Sequence, residues 1–283
     1  MTYTQDLQET LQDKHNLIFY KIMHYPIPKQ WEIFVAEEKT SVNTKNNEDF
    51  SRIERNTHMD EYLKYIKKFT RLYKSLPFIK KIYLCNSITF NALKEDSDID
   101  LFIVTKRGAL RRARFFSAVM FFIFWIKRSL TNKKRKFCLS FYVTEDAQNL
   151  YSISLPQVDI YLSYWLAHLV PLYQENKETD NIYKYNNRVK EILPNLPEKQ
   201  NITIGIQTTH GISKFKKWTE IICGGVFSQV FESIIKVIWL PILLYKTNHD
   251  KKNRANIIIN NTMLKFHNDI RQKIHLLYKT SKK

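Results

Sequence analysis

The fold is decided by residues 82–104, IYLCNSITFNALKEDSDIDLFIV. Ile82-Tyr83-Leu84-Cys85 is an apolar run bounded by Lys80-Lys81 and by Asn86-Ser87, which is the length of a buried strand. Ser87 suits the N-cap of a short helix over 88–93, ended by Lys94-Glu95-Asp96-Ser97. Asp98-Ile99-Asp100 then leads into Leu101-Phe102-Ile103-Val104, an apolar run of the kind found in central strands. Side chains alternate along a strand, so Asp98 and Asp100 share one face and Ile99 points to the other. Two carboxylates so close repel each other and are costly to bury unless a cation lies between them. Hard oxygen ligands paired in this way suit Mg²⁺.

A strand, a polar turn with Ser87, a short helix and Asp98-x-Asp100 on the next strand together resemble the nucleotidyltransferase superfamily that includes DNA polymerase beta. Within it the pattern more closely resembles bacterial and archaeal nucleotidyltransferase-domain proteins of unknown substrate. The resemblance covers roughly residues 60–175. It implies an α+β fold: a small mixed β-sheet core with flanking helices, followed here by a helical C-terminal part. It also implies that Asp98 and Asp100 bind divalent metal and are the catalytic pair, and that the Asn86-Ser87 turn holds the triphosphate of a nucleotide. The family's usual turn is Gly-Ser, so Asn86 adds a side chain where phosphate approaches, although Asn tolerates a left-handed backbone better than most residues. A third carboxylate is expected on a neighbouring strand.

That strand reads as residues 136–143, KFCLSFYV, with Cys138, Ser140 and Tyr142 alternating onto one face. Neither polar candidate, Cys138 or Ser140, is a carboxylate; Ser140 can bind a metal-bound water, or a metal weakly, but contributes no charge. Glu145 and Asp146 follow the strand and suit a cap or turn better than a return to the site.

At 283 residues, with 44% hydrophobic and 14% aromatic content, the chain can build a sizeable core. Five glycines argue against a Gly-rich phosphate loop or dinucleotide fingerprint. Cys85, Cys138 and Cys223 lack metal-site spacing and suit reduced, buried thiols in a cytoplasmic protein. The first residues lack a secretory signal pattern. The net charge of +18 is concentrated: eleven basic residues and no acid lie between Lys106 and Lys136. Such a segment attracts nucleotide, nucleic acid or an anionic membrane surface, and the plain alternative is a solvated face. Arg111, Arg112 and Arg114 are candidates to neutralise a triphosphate or an acceptor.

Three regions follow: an N-terminal helical extension over 1–58, the nucleotidyltransferase-like domain over 59–175, and a helical region over 176–283. Residues 4–25 carry a helical period ended by Pro26 and Pro28. Residues 59–76 form a helix striped by Tyr62, Ile66, Phe69 and Tyr73 and stopped by Pro77. The twelve apolar residues 115–126 are too short for an ordinary span and read as a core helix, or as an interfacial one flanked by bases. Residues 159–173 predict a helix capped by Asp159 and broken near Pro171, with His168 as a hydrogen-bonded core residue. Residues 221–245 suit a buried or membrane-apposed helix in which Glu232 and Lys236 can pair. Residues 256–278 read as a last amphipathic helix, and its His267 and His275 do not make a metal site.

The chemistry implied is transfer of a nucleoside monophosphate from a Mg²⁺-bound nucleoside triphosphate to an unidentified hydroxyl acceptor. The competing classes are a non-catalytic member of the fold that binds nucleotide or a partner, and a protein attached peripherally to anionic membrane through residues 106–136.

Overall fold

Residues 82–85 and 101–104 are apolar on both faces, so each must be covered from both sides, and this dictates a central sheet between two layers. In the computed structural model Ile79–Cys85 (β1) and Ile99–Thr105 (β2) pair antiparallel at the centre of a seven-stranded sheet. The structure describes residues 19–20, 22–23, 25, 56–124, 126, 134–156, 159–177, 182–194, 196, 204–225, 228–237, 257–266 and 271–281. The expectations for residues 4–18 and 238–245, and for His267, fall outside these.

The helices α1 (Met59–Lys67) and α2 (Thr70–Ser75) precede β1. The single helix read over 59–76 is thus two, broken at Lys68 and Phe69, while Tyr62, Ile66 and Tyr73 are buried as their spacing requires. Helix α3 (Leu110–Ile123) carries the chain from β2 to β3 (Phe137–Thr144), which lies parallel to β2. Parallel neighbours need such a crossover, and Gly108, at φ +65°, turns the chain into it. Beyond β3 come α4 (Ile160–Ala167), β4 (Val170–Gln174), the one-turn α5 (Val189–Ile192), β5 (Thr209–His210), α6 (Lys214–Gly224), α7 (residues 228–237), β6 (Ile258–Ile259), β7 (Met263–Lys265) and α8 (Arg271–Ser281). The sheet order is β5-β4-β1-β2-β3-β7-β6 and its pairing is mixed.

One face buries Ile82, Leu84, Leu101, Ile103 and Leu139 against α1, α2 and α3. The other buries Tyr83, Phe102, Val104, Phe141 and Val143 against α4, α5 and the aromatic pair Phe19 and Tyr20. His168 lies in this second layer: its Nδ1 is 2.8 Å from the Tyr164 carbonyl and its Nε2 is 3.0 Å from the Tyr20 hydroxyl. It is the core histidine its apolar neighbours predict.

Three local readings change. Residues 86–88 form a single 3₁₀ turn, not the start of a helix to 93, and no side chain caps it. The helix expected to run to 173 stops at Ala167, and Pro171 sits inside β4, opposite Tyr83 beside a register shift. Pro cannot donate to a ladder and is tolerated where the pairing is already irregular. Residues 257–266 contain β6 and β7, and among the described residues of this segment helix begins at Arg271, so the C-terminal region adds strands to the same sheet. The apolar residues Ile257, Met263 and Leu264 fit either period, and pairing with β3 decided between them.

Among the described residues, six basic side chains of the segment pair with acids of the protein itself. Lys106 pairs with Glu220 at 2.7 Å, Arg107 with Asp146 at 3.3 Å, Arg112 with Glu232 at 3.1 Å, Lys134 with Glu95 at 2.7 Å, and Arg135 with Glu61. Glu232 therefore serves Arg111 and Arg112. Lys216 of α6 is fully buried; its Nζ donates to the Ile79 carbonyl and, at 3.0 Å, to the Tyr173 hydroxyl, and lies 3.8 Å from Glu175. Burial outweighs the Glu175 charge and pulls the Lys216 ammonium down to about 8.

Candidate functional site

At the end of β1 the chain turns at Asn86 with φ +61°, the left-handed conformation that glycine favours and asparagine tolerates. The turn aims the Asn86 side chain inward. Its Nδ2 donates to Asp100 Oδ2 at 2.8 Å, and its Oδ1 accepts from Trp165 Nε1 at 2.9 Å. The same residue thus fixes the rotation of a β2 carboxylate and the plane of an α4 indole.

The segment between turn and β2 is held from outside. Asn56 Nδ2 donates to the Leu93 carbonyl at 2.8 Å, and the Tyr62 hydroxyl donates to the Ser97 carbonyl at 2.6 Å. The Ser97 amide closes back on Lys94 at 3.1 Å, and Asp98 follows immediately. Asp98 is partly exposed and Asp100 is buried at the start of β2. Both line the face that α4 covers, as alternation requires.

The parallel register sets Cys138 of β3 beside Asp100. Ligand atoms of Asp98, Asp100 and Cys138 all lie within 4.8 Å of one another. One step further the register shifts, pairing Phe102 with Phe141, so β3 has an extra residue relative to β2. This reverses the alternation expected along 136–143: Phe141 and Val143 pack on the α4 side, and Tyr142 turns to the opposite core. Ser140 stays near the site, with its Oγ 3.2 Å from Cys138 Sγ, whose thiol donates to it. Glu145 and Asp146 lie at the far end of β3, where they face Arg107. Cys85 lies across Asp100 on β1, and burial, followed by the Asp100 charge, pushes its thiol well above the ordinary range.

Cys85, Asn86, Asp98 and Asp100 line a cavity of about 480 Å³. Asn86, Ser87, Asp98 and Asp100 all line it, while Cys138 and Ser140 sit beside it, next to Asp100. Its volume falls in the range of small-ligand sites. Tyr25, Tyr161 and Trp165 add aromatic rings, and Lys94, Lys265 and Arg271 bring three cations to the same cavity as the two carboxylates.

Lys265 and Arg271 are the residues that sequence reasoning missed. Lys265 is a buried lysine on β7, opposite Phe141 of β3. Arg271 opens α8 and is gripped by Asp159, whose Oδ2 is 3.1 Å from its Nη1, and by the Ile153 carbonyl at 2.7 Å. Asp159 is the N-cap of α4, as its position predicts, accepting from the Leu162 amide at 3.0 Å. The same carboxylate therefore ties the last helix to the wall of the cavity. A lone lysine inside the apolar run Met263-Leu264-Lys265-Phe266 was the one available sign; Arg271 left none.

The arginines proposed from sequence lie elsewhere. Helix α3 packs on the opposite face of the sheet from the Asp pair. Arg112 donates to Glu232 and to the Cys223 carbonyl at 2.6 Å, and Arg114 lies over the Tyr142 ring at 5.1 Å. The crossover side, which no short window encodes, removes them from the site.

Comparisons with protein-family models, with curated proteins and with solved structures found no match for this chain.

Proposed function

We propose that the cavity binds a nucleoside triphosphate with a divalent cation and that the protein transfers a nucleotidyl group to a hydroxyl acceptor. The observation that carries this reading is the gathering of Asp98, Asp100 and Cys138 donor atoms within 4.8 Å, beside a cavity that both carboxylates line together with Lys94, Lys265 and Arg271. The donor set fits a divalent cation, since two carboxylates so close need a positive charge between them. Mg²⁺ is the ion the resemblance implies; when bound, such an ion offsets phosphate charge and favours ionisation of the attacking hydroxyl. In the reaction the acceptor hydroxyl gives up its proton to solvent and its oxygen bonds to the α-phosphorus; the bond from that phosphorus to the bridging oxygen of the β-phosphate breaks, and pyrophosphate leaves with its electron pair.

Each residue has a part. Asp98 and Asp100 hold the cation, and Asn86 keeps the Asp100 carboxylate turned toward it. Ser87 lines the entry beside the turn and offers its hydroxyl to phosphate. Lys265 and Arg271 suit the β- and γ-phosphates, with Asp159 fixing the guanidinium. Trp165, clamped by Asn86, and Tyr25 offer planar surfaces for a base. The test is calorimetric titration of Mg²⁺-ATP and Mg²⁺-CTP into the wild type and Asp98→Asn/Asp100→Asn. Metal-dependent binding that the double variant loses supports the reading; a folded wild type that binds neither nucleotide with Mg²⁺ or with Co²⁺ refutes it.

A second reading, peripheral attachment to an anionic membrane surface, is favoured by a separate observation. Phe122 and Ile123 of α3, Trp218 and Ile221 of α6, and Val230, Ile234 and Val237 of α7 are all exposed. Exposed Lys214 and Lys217 flank the α6 stripe. Among the described residues no helix is long and apolar enough to cross a membrane. Apolar stripes bordered by lysine suit the headgroup boundary. Sedimentation with phosphatidylserine vesicles tests this: Trp218→Ala/Ile221→Ala should abolish pelleting, and equal pelleting of both proteins rejects it.

A further inference from the structure

We infer that Cys138 is the third metal ligand and that it makes the site select a thiol-accepting divalent cation of the zinc and cobalt class over Mg²⁺. This rests on the metal–nucleotide reading of the cavity and narrows which ion it takes.

The register supplies the argument. Parallel pairing sets Cys138 beside Asp100, and its sulfur lies within 4.8 Å of carboxylate oxygens from both Asp98 and Asp100. The extra residue just after it lets Phe141 return to the α4 side, while Cys138 stays level with Asp100. A third hard oxygen at this place would complete a set suited to Mg²⁺, which takes oxygen ligands at short distance and keeps its waters. A thiolate does the reverse: it is soft, it binds Mg²⁺ poorly, and with two carboxylates it suits Zn²⁺ or Co²⁺. On binding, the Cys138 S–H bond breaks, the sulfur electron pair goes to the ion, and the proton leaves to solvent, so charge and atoms balance.

Ser140 fits this role as an orienting partner. Its Oγ accepts from the Cys138 thiol at 3.2 Å, and the same hydroxyl can turn to donate once the sulfur is a thiolate. Asn86 orients Asp100 from the other side. Cys85, although near, is on the opposite side of Asp100 and outside the three-residue donor set.

The test is titration of the purified full chain with Co²⁺, followed by its sulfur-to-cobalt charge-transfer absorption, beside calorimetry with Zn²⁺, Mg²⁺ and Mg²⁺-ATP. The wild type should give the charge-transfer band. Cys138→Ser should lose the band and weaken Co²⁺ by at least about tenfold, while Cys85→Ser and Cys223→Ser keep it. Cys138→Asp should lose the band but bind Mg²⁺ more tightly than the wild type. Circular dichroism of each variant confirms folding, and the wild-type spectrum is informative by itself. A band that survives Cys138→Ser overturns the inference. So does Mg²⁺-ATP binding that needs Asp98 and Asp100 in a protein that gives no cobalt–sulfur band, and that result leaves the nucleotide reading standing. Binding of neither metal nor nucleotide overturns both.

Discussion

Asn86 tests the geometry of the turn most directly, because two substitutions separate its backbone from its side chain. Asn86→Gly and Asn86→Ala both remove the bond to Asp100 Oδ2 at 2.8 Å and the bond from Trp165 at 2.9 Å. A hydrogen bond to a carboxylate contributes about 2 kcal/mol, and the indole N–H can turn to water in the cavity, so each variant should lose about 2 kcal/mol on this account. They differ in what φ +61° asks of them. Alanine at a left-handed position adds strain of roughly 1–2 kcal/mol, whereas glycine adds none but orders a freer unfolded chain at about 0.5–1 kcal/mol. Asn86→Gly should therefore be more stable than Asn86→Ala by about 1 kcal/mol. Urea unfolding of the three proteins, compared at equal slope, measures the difference. If alanine matches or exceeds glycine, the backbone at Asn86 is not left-handed and the turn does not take the shape described here.

Two further outcomes follow from the wall of the site and the layer behind it. His168 is buried and neutral, with burial holding its ring down to about 4 against an ordinary 6.5. The unfolded chain then binds the extra proton first, so stability is full above about 6.5 and is lost as pH falls toward 4. The total is roughly 3 kcal/mol. Denaturation midpoints over that window should fall more steeply for the wild type than for His168→Gln, and parallel curves would reject a neutral buried imidazole. At Asp159, removing the carboxylate strands a guanidinium whose side chain is only 10% exposed and strips the α4 cap. Asp159→Ala should lose about 3 kcal/mol, and Asp159→Asn less, because asparagine still caps the helix. Equal losses in urea unfolding would mean that the cap contributes nothing and that Asp159 acts only as the counter-ion of Arg271.

How much of this was legible depends on the range of each interaction. Asp98 and Asp100 share a face because a strand alternates, whatever its neighbours do. Asp159 reads as a cap because a cap is made with residues three positions away. His168 reads as core because everything around it in the sequence is apolar. The readings that changed needed a partner. Residues 257–266 suit helix or strand until β3 offers its edge, and Pro171 looks like a breaker until an irregular pairing with β1 accommodates it. The basic stretch from Lys106 to Lys136 looks like a charged surface until Glu61, Glu95, Glu220 and Glu232, all remote in sequence, are placed against it.

The candidate site divides in the same way. By itself the sequence determined the strand–turn–strand unit and its two carboxylates, since turn chemistry and a two-residue period act over a few residues. Only the tertiary structure decided that Cys138 stands beside Asp100, because register between parallel strands is set by the crossover and by one extra residue in β3. Only it removed Arg111 and Arg112 to the other face, and only it brought Lys265 and Arg271, more than a hundred residues along the chain from Asp98, to the same cavity. The reason is physical: local periodicity fixes which way a side chain points from its own element, whereas packing of the sheet's two layers decides what it points at.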